Sequence, residues 1–109
     1  MGRYVQAASK PIKQKPFILE QRMRKKKVTV LNEAGLHARP SSKLVKTASG
    51  FKSDLQIEMY GYRVNGKSIL GLMTLAAEKG SEMELIVEGP DEDEAIEALT
   101  KLFENKFEQ

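Results

Sequence analysis

The stretch that says most about the fold is residues 55–64, which read LQIEMYGYRV. Leu55, Ile57 and Met59 alternate with polar residues, and this period of two is typical of a β-strand with one buried face. Tyr60-Gly61 then turns the chain into a further strand around residues 62–64. These residues therefore predict two neighbouring strands in the middle of the chain.

The residues before this stretch predict a strand and a helix. Residues 28–30 alternate as a short half-buried strand, and the run from Asn32 to Gly35 breaks it. Pro40 is suited to the first turn of a helix, where its missing N–H leaves no hydrogen bond unmade. The apolar face of this helix comprises Leu44, Ala48 and Phe51. Gly50 is placed to end it.

The residues after this stretch predict two helices and one more strand. Ser68 is a natural N-cap for a helix through Ala77. Residues 83–87 alternate as a fourth strand, and acids at 91–94 favour the start of a last helix. The buried stripe of that helix comprises Ile96, Leu99 and Phe103. The order β-α-β-β-α-β-α predicts an α+β fold: an open-faced two-layer sandwich of a four-stranded antiparallel sheet with three helices on one face.

Composition excludes several classes of protein. The chain has 109 residues, 40% of them hydrophobic, which suits one modest soluble domain. It has no cysteine and one histidine, so we expect no disulfide, no thiolate metal site and none of the usual multi-histidine zinc sites. We also expect that the domain needs no cofactor. No apolar run approaches the roughly 18 residues of a membrane span, and no secretory signal is evident. We therefore expect a cytoplasmic protein without membrane insertion. We also expect a monomer.

Charge divides the chain into two parts. Residues 1–27 carry nine Lys or Arg against Glu20, a net charge of +8, whereas residues 28–109 carry nine basic residues against fourteen acids, a net charge of −5. We expect residues 1–26 to form a flexible basic N-terminal extension and residues 27–109 to form the folded domain. Nucleic-acid binding through this arm is an alternative, which the acidic domain and the lack of an aromatic RNA-binding strand motif disfavour.

The candidate chemistry lies in residues 35–40, which read GLHARP and place His37 at the mouth of the first predicted helix. His37 could be an incidental polar residue. Histidine is not a favoured N-cap, however, and a neutral imidazole keeps a lone pair that can act as a nucleophile. The first-turn N–H groups point at any anion formed there, and Arg39 adds a permanent positive charge. These features would suit a site that holds phosphate on nitrogen, and the residues alone leave the incidental role open.

Residues 35–40 resemble the active-site motif of HPr, the phosphocarrier family of the bacterial phosphoenolpyruvate-dependent sugar phosphotransferase system. Residues 67–73, KSILGLM, resemble the second signature of that family. The resemblance implies a carrier rather than a stand-alone enzyme, with His37 phosphorylated on Nδ1 by enzyme I and discharged to enzyme IIA. Arg39 would assist transfer, and Ala38, Pro40 and Ser41 would complete the phosphate site. Ser41 stands where the family often has alanine, so its hydroxyl could reach the phosphate or cap the helix.

The second signature carries a possible regulatory residue. By resemblance, Ser68 would be phosphorylated by HPr kinase/phosphorylase, and a transcriptional regulator could be a further partner. The helix after Ser68 is apolar on nearly every side and cannot bury all of them, so we expect Ile69, Leu70 and Met73 to contact partners. A regulatory paralogue that takes no part in sugar uptake is an alternative within the family.

A nucleotide-binding motif also matches by letter. Residues 61–68, GYRVNGKS, satisfy the P-loop pattern. Residues 62–64 are typical of a strand, however, and the chain is short for a nucleotide-binding parallel sheet. We predict that the match is accidental.

Overall fold

The structure, a computed structural model, describes residues 23–108. Its elements are β1 (Met23–Thr29), α1 (Ala38–Ser49), β2 (Asp54–Met59), β3 (Tyr62–Asn65), α2 (Ile69–Thr74), β4 (Glu82–Glu88), α3 (Glu92–Glu104) and a final 3-10 turn (Lys106–Glu108). The strands form one antiparallel sheet in the order β1-β4-β2-β3. The predicted α+β sandwich and its β-α-β-β-α-β-α order are confirmed.

The β2–β3 hairpin forms where the alternation predicted it. Met59 pairs with Tyr62, and the two turn residues between them, Tyr60 and Gly61, have φ of 54° and 82°. Positive φ at both central positions matches the turn twist to that of the strands. Leu55, Ile57 and Met59 are buried, so one face of this hairpin closes on the core.

The core lies between the sheet and the helices. Its fully buried large side chains are Val30, Leu44, Ile57, Leu72, Leu85, Val87, Leu99, Phe103 and Phe107. Phe107 was not predicted to be buried, yet its ring packs edge-on against Phe103 with 5.0 Å between the centroids. The turn that carries it has positive φ at Lys106, Phe107 and Glu108. Lys43 on α1 donates a hydrogen bond to the Phe107 carbonyl over 3.1 Å and ties this turn to the helix layer.

The first strand begins earlier than its sequence pattern indicated. β1 starts at Met23 and pairs along its whole length with β4, so residues 23–26 belong to the sheet and not to the basic extension. The reason is that β4 is seven residues long and offers an edge to each of them. Arg24 is also held by Asp93 on α3, over 2.5 Å. Residues 1–22 lie outside the described residues, and their assignment as an arm stays a prediction.

The second helix ends earlier than predicted. α2 stops at Thr74, and Ala76 has φ of 50°, which no α-helix can accommodate. The Ala77 carbonyl, predicted to be helical, instead accepts a hydrogen bond from the Leu36 N–H over 2.9 Å. The tertiary contact with the loop before α1 therefore takes the place of a further helical turn. No helix between residues 23 and 108 is long and apolar enough to cross a membrane.

Candidate functional site

His37 is the N-cap residue of α1. Its backbone is extended, with φ −91° and ψ −161°, and its side chain makes no capping hydrogen bond. The residue is exposed. An N-cap histidine that does not cap its helix keeps its ring nitrogens available for other chemistry.

The backbone around His37 offers donors to an anion. The first intrahelical bond runs from the Ser41 N–H to the His37 carbonyl, over 3.0 Å. Among residues 23–108 no acceptor is found for the N–H groups of Ala38 and Arg39, and Pro40 has none to offer. These are the unsatisfied donors that every helix start presents, and they carry the positive end of the helix dipole. A phosphoryl group on His37 would lie at this terminus.

Arg39 adds an exposed cation to the same turn. Its side chain is exposed and makes no ion pair or hydrogen bond with another described residue. A guanidinium without a competing carboxylate can turn both of its N–H edges to a phosphate. Pro40, by contrast, is fully buried and anchors the first turn to the core.

Ser41 has a different role from either of the two considered for it. The residue is fully buried, and its hydroxyl donates a hydrogen bond to the Leu36 carbonyl over 3.2 Å. Its N–H is taken by the His37 carbonyl. Both of its donors are used inside the fold, so in this structure Ser41 braces the loop before His37.

The loop before His37 contains residues that the sequence predicted only as a break between elements. Asn32 is buried, and its side-chain amide donates to the Gly35 carbonyl over 2.7 Å. Gly35 has φ of 77°, and a Cβ there would lie 2.4 Å from the Ala77 carbonyl oxygen. The available signal was the Asn-x-x-Gly spacing, which is typical of a tight turn. At the solvent side of this loop, the Lys79 ammonium beside Glu33 lowers the pKa of that carboxyl.

Ser68 caps α2 as predicted. Its hydroxyl accepts a hydrogen bond from the Gly71 N–H over 3.0 Å. On the helix that follows, Ile69, Leu70 and Met73 are 38%, 78% and 41% exposed. Ser68 is the N-cap residue of α2 and His37 that of α1, and these two helices pack against each other in one layer.

Residues 61–68 match the P-loop pattern by letter but do not form a phosphate-binding loop. Residues 62–65 form strand β3. The Gly66 N–H donates to the Leu55 carbonyl over 2.8 Å, and the Lys67 ammonium donates to the Phe51 carbonyl over 3.0 Å. The groups that would cradle phosphates are therefore used by the fold.

The grouping and the environments of the acidic residues in the described chain bear on what they can do. Within residues 23–108 no three His, Cys, Asp or Glu side chains are grouped so that they could hold a metal ion. Asp91 lies at the start of α3 and accepts hydrogen bonds from the Ser53 hydroxyl and from the N–H groups of residues 52 and 53. These bonds hold the pKa of Asp91 to about 2 and serve the structure.

Comparison with known proteins agrees with the fold and with these positions. The family described as "PTS HPr component phosphorylation site" matches residues 24–105. The phosphocarrier protein HPr of Treponema pallidum is 54% identical over 84 residues, which cover 77% of this chain and 96% of that protein. That of Neisseria meningitidis serogroup A is 51% identical over 85 residues, covering 78% and 96%. The crystal structure of HPr-C-His from Thermoanaerobacter tengcongensis superposes with a TM-score of 0.77 at 43% identity, covering 79% and 97%.

The open-faced sandwich, the histidine at a helix N-terminus and these relatives together place the chain among the histidine phosphocarriers. Within that class, this chain belongs to the HPr family of the phosphotransferase system. The relatives are covered almost completely, whereas about a fifth of this chain lies outside each match.

Proposed function

We propose that the chain accepts a phosphoryl group on His37 from phosphorylated enzyme I and transfers it to a histidine of enzyme IIA. The observation that carries this proposal is the exposed imidazole of His37, which is the N-cap of α1 but makes no capping bond. The first N–H groups of that helix also lack acceptors among the described residues. The family membership supports the same role.

The transfer needs one lone pair and one proton in the right places. The Nδ1 lone pair of His37 attacks phosphorus, the N–P bond forms, and the bond from the phosphoryl group to the donor breaks. The second ring nitrogen carries the imidazole proton, so Nδ1 is unprotonated when it attacks. Transfer to enzyme IIA repeats the step in the other direction, with the His37 N–P bond as the one that breaks.

The surrounding residues act on the charge of the phosphoryl group. The N–H groups of Ala38 and Arg39 lie at the positive end of the α1 dipole, which favours an anion there. The Arg39 guanidinium can follow the phosphoryl oxygens between the two partners because no described carboxylate holds it. Pro40 fixes the turn from the core side, and Ser41 contributes by bracing Leu36.

Ser68 and the exposed side of α2 form the proposed partner and regulatory surface. We propose that Ile69, Leu70 and Met73 contact partner proteins, because all three are apolar and more than a third exposed. A phosphate on Ser68 would place negative charge beside this surface and weaken some of those contacts. HPr kinase/phosphorylase and a transcriptional regulator are the further proposed partners, in the cytoplasm and with the chain as a monomer.

The test of the proposed acceptor is incubation with enzyme I, Mg²⁺ and phosphoenolpyruvate, followed by intact mass measurement. We expect one added phosphoryl group that is lost in acid, and none in His37→Ala. Ser68→Ala is the matched control and should still be phosphorylated. Retention of the added group in acid, or its presence in His37→Ala, would contradict the proposal.

A further inference from the structure

The four-residue turn Asn32–Gly35 is closed by two hydrogen bonds. The Gly35 N–H donates to the Asn32 backbone carbonyl over 3.2 Å, and the Asn32 side-chain N–H donates to the Gly35 carbonyl over 2.7 Å. The side chain of Asn32 is 2% exposed, so its amide is an internal part of the loop. One side chain therefore holds both ends of the turn together.

This turn is seated on the segment that follows α2. Gly35 comes so near to it that a Cβ would lie 2.4 Å from the Ala77 carbonyl oxygen. The next residue, Leu36, donates its N–H to that same oxygen over 2.9 Å, and its own carbonyl accepts from the Ser41 hydroxyl over 3.2 Å. Both polar groups of Leu36 are thus fixed, and Leu36 is bonded directly to His37.

Only one half of the Asn32 side-chain amide is hydrogen-bonded: its N–H donates, whereas its oxygen, Oδ1, does not accept from any described residue. Oδ1 is buried and has no hydrogen-bond partner among the described residues. A buried acceptor without a partner disfavours the folded state, so the amide at this position calls for a reason of its own. The structure provides one in the N–H donor, which no aliphatic side chain and no carboxylate could replace.

We infer that Asn32 is a positioning residue for the phosphoryl acceptor, resting on the proposed role of His37. The Asn32 amide closes the turn, the turn seats Leu36 on Ala77, and the seated Leu36 sets where the His37 N-cap emerges. The His37 side chain makes no capping bond, so its placement depends on this backbone. Displacement of a reacting group by about 1 Å can reduce a rate about 100-fold.

The test compares Asn32→Ala and Asn32→Asp with Glu33→Ala. Asn32→Asp keeps the side-chain shape but removes the N–H donor. Glu33 belongs to the same turn but is exposed and contacts only Lys79 by hydrogen bond in the described structure, so Glu33→Ala is the matched control. Each variant is assayed as a substrate of enzyme I, under conditions where circular dichroism shows it to be folded.

For both Asn32 variants we expect kcat to fall about tenfold or more while KM changes less than about twofold, since positioning acts on the transition state. Glu33→Ala should transfer as the wild type does. Should Asn32→Asp fail to fold, Asn32→Ala decides the question. Wild-type kcat in a folded Asn32 variant, or an effect confined to KM, would overturn the inference.

Amide hydrogen exchange separates this inference from the proposed function, because it requires no phosphoryl donor. The Leu36 N–H should exchange about tenfold faster or more in Asn32→Ala, while amides in the centre of β4 are unchanged, as expected for a local opening. If the wild type were not phosphorylated but Leu36 responded in this way, Asn32 would still position the backbone before His37, and the acceptor role of His37 would be the part that is wrong. If Leu36 exchange were unaffected, the positioning role of Asn32 would be wrong whatever His37 does.

Discussion

Replacement of Gly35 by alanine should destabilise the domain far more than the same replacement at Gly61. The two glycines have nearly the same positive φ, 77° and 82°. Their surroundings differ: a Cβ on Gly35 would lie 2.4 Å from the Ala77 oxygen and 3.0 Å from the Glu78 Cα, whereas a Cβ on Gly61 would meet nothing within 4 Å. The pair therefore separates conformational strain from close packing.

The expected magnitudes follow from these contacts. A side chain in the left-handed region costs about 1–2 kcal/mol, and this applies to both positions. At Gly35 the clash with backbone atoms adds about 1–3 kcal/mol, because neither partner is a flexible side chain. Separation of the loops also weakens the Leu36–Ala77 hydrogen bond, worth about 1 kcal/mol. We expect a loss of roughly 3–6 kcal/mol for Gly35→Ala and about 1–2 kcal/mol for Gly61→Ala.

The assay is urea unfolding followed by far-ultraviolet circular dichroism at one pH and temperature. The free energy of unfolding is compared between wild type, Gly35→Ala and Gly61→Ala, with the denaturant slope checked for a two-state transition. Equal losses for the two variants, within about 0.5 kcal/mol, would refute the claim that the loop before His37 is packed against Ala77. A larger loss for Gly61→Ala would refute it more strongly.

Three further predictions concern stability. Phe107→Ala should reduce the free energy of unfolding in urea by about 3–5 kcal/mol, because the ring is fully buried; a loss below about 1 kcal/mol would show that the final turn does not close the core. Asp91→Asn should make the stability of the fold less dependent on acid pH. Hydrogen bonds from Ser53 and from the residue 52 N–H hold the pKa of Asp91 to about 2, below its ordinary value of 3.8. The stabilisation from these bonds is therefore complete above pH 3.8 and is lost as the pH falls toward 2. Parallel unfolding midpoints for variant and wild type from pH 5 to about 2 would contradict this. Ser68→Ala should lower the free energy of unfolding in urea by about 0.5–2 kcal/mol, because the α2 cap is lost. Ser42 is exposed, so the control Ser42→Ala should change this free energy by less than about 0.5 kcal/mol. Equal effects of the two substitutions would argue against the cap.

The sequence was sufficient for those parts of the fold that local patterns determine. Alternation in residues 55–59 and 83–87 predicted β2 and β4, because in each strand the alternate apolar residues face the core. The turn at Tyr60-Gly61 predicted that β3 follows, although no residue of β3 is fully buried. The Ser68 cap and the acidic start of α3 were predicted from residue types that favour those positions. These signals depend on neighbours in the chain and need no knowledge of the tertiary structure.

The elements that were misjudged depend on distant contacts. Four consecutive basic residues, 24–27, conceal the strand character of β1, which is set by pairing with β4. The apolar run after Thr74 continues a helical pattern, but the bond from Leu36 to Ala77 ends the helix. Burial of Phe107 requires three left-handed residues in succession, and no local signal predicts that conformation.

The candidate site shows the same division. His37 and Arg39 were predicted from six consecutive residues, and both are exposed at the start of α1. The loop that supports these two residues was not predicted from the sequence. Asn32, Gly35 and Ala77 come together only when the α2–β4 connection folds over the start of α1. Ser41 likewise resembles an active-site residue in sequence, while its hydroxyl faces the Leu36 carbonyl in the fold.

The measurement that tests the carrier role most directly is a single transfer from the isolated phosphorylated chain. The chain is charged with radiolabelled phosphoenolpyruvate and enzyme I, separated from both, and mixed with a panel of purified enzyme IIA proteins. We predict that the label leaves His37 and appears on an enzyme IIA well before it is released as inorganic phosphate. Release to phosphate at the same rate with and without every enzyme IIA would contradict the account, since His37 would then accept a phosphoryl group without passing it on.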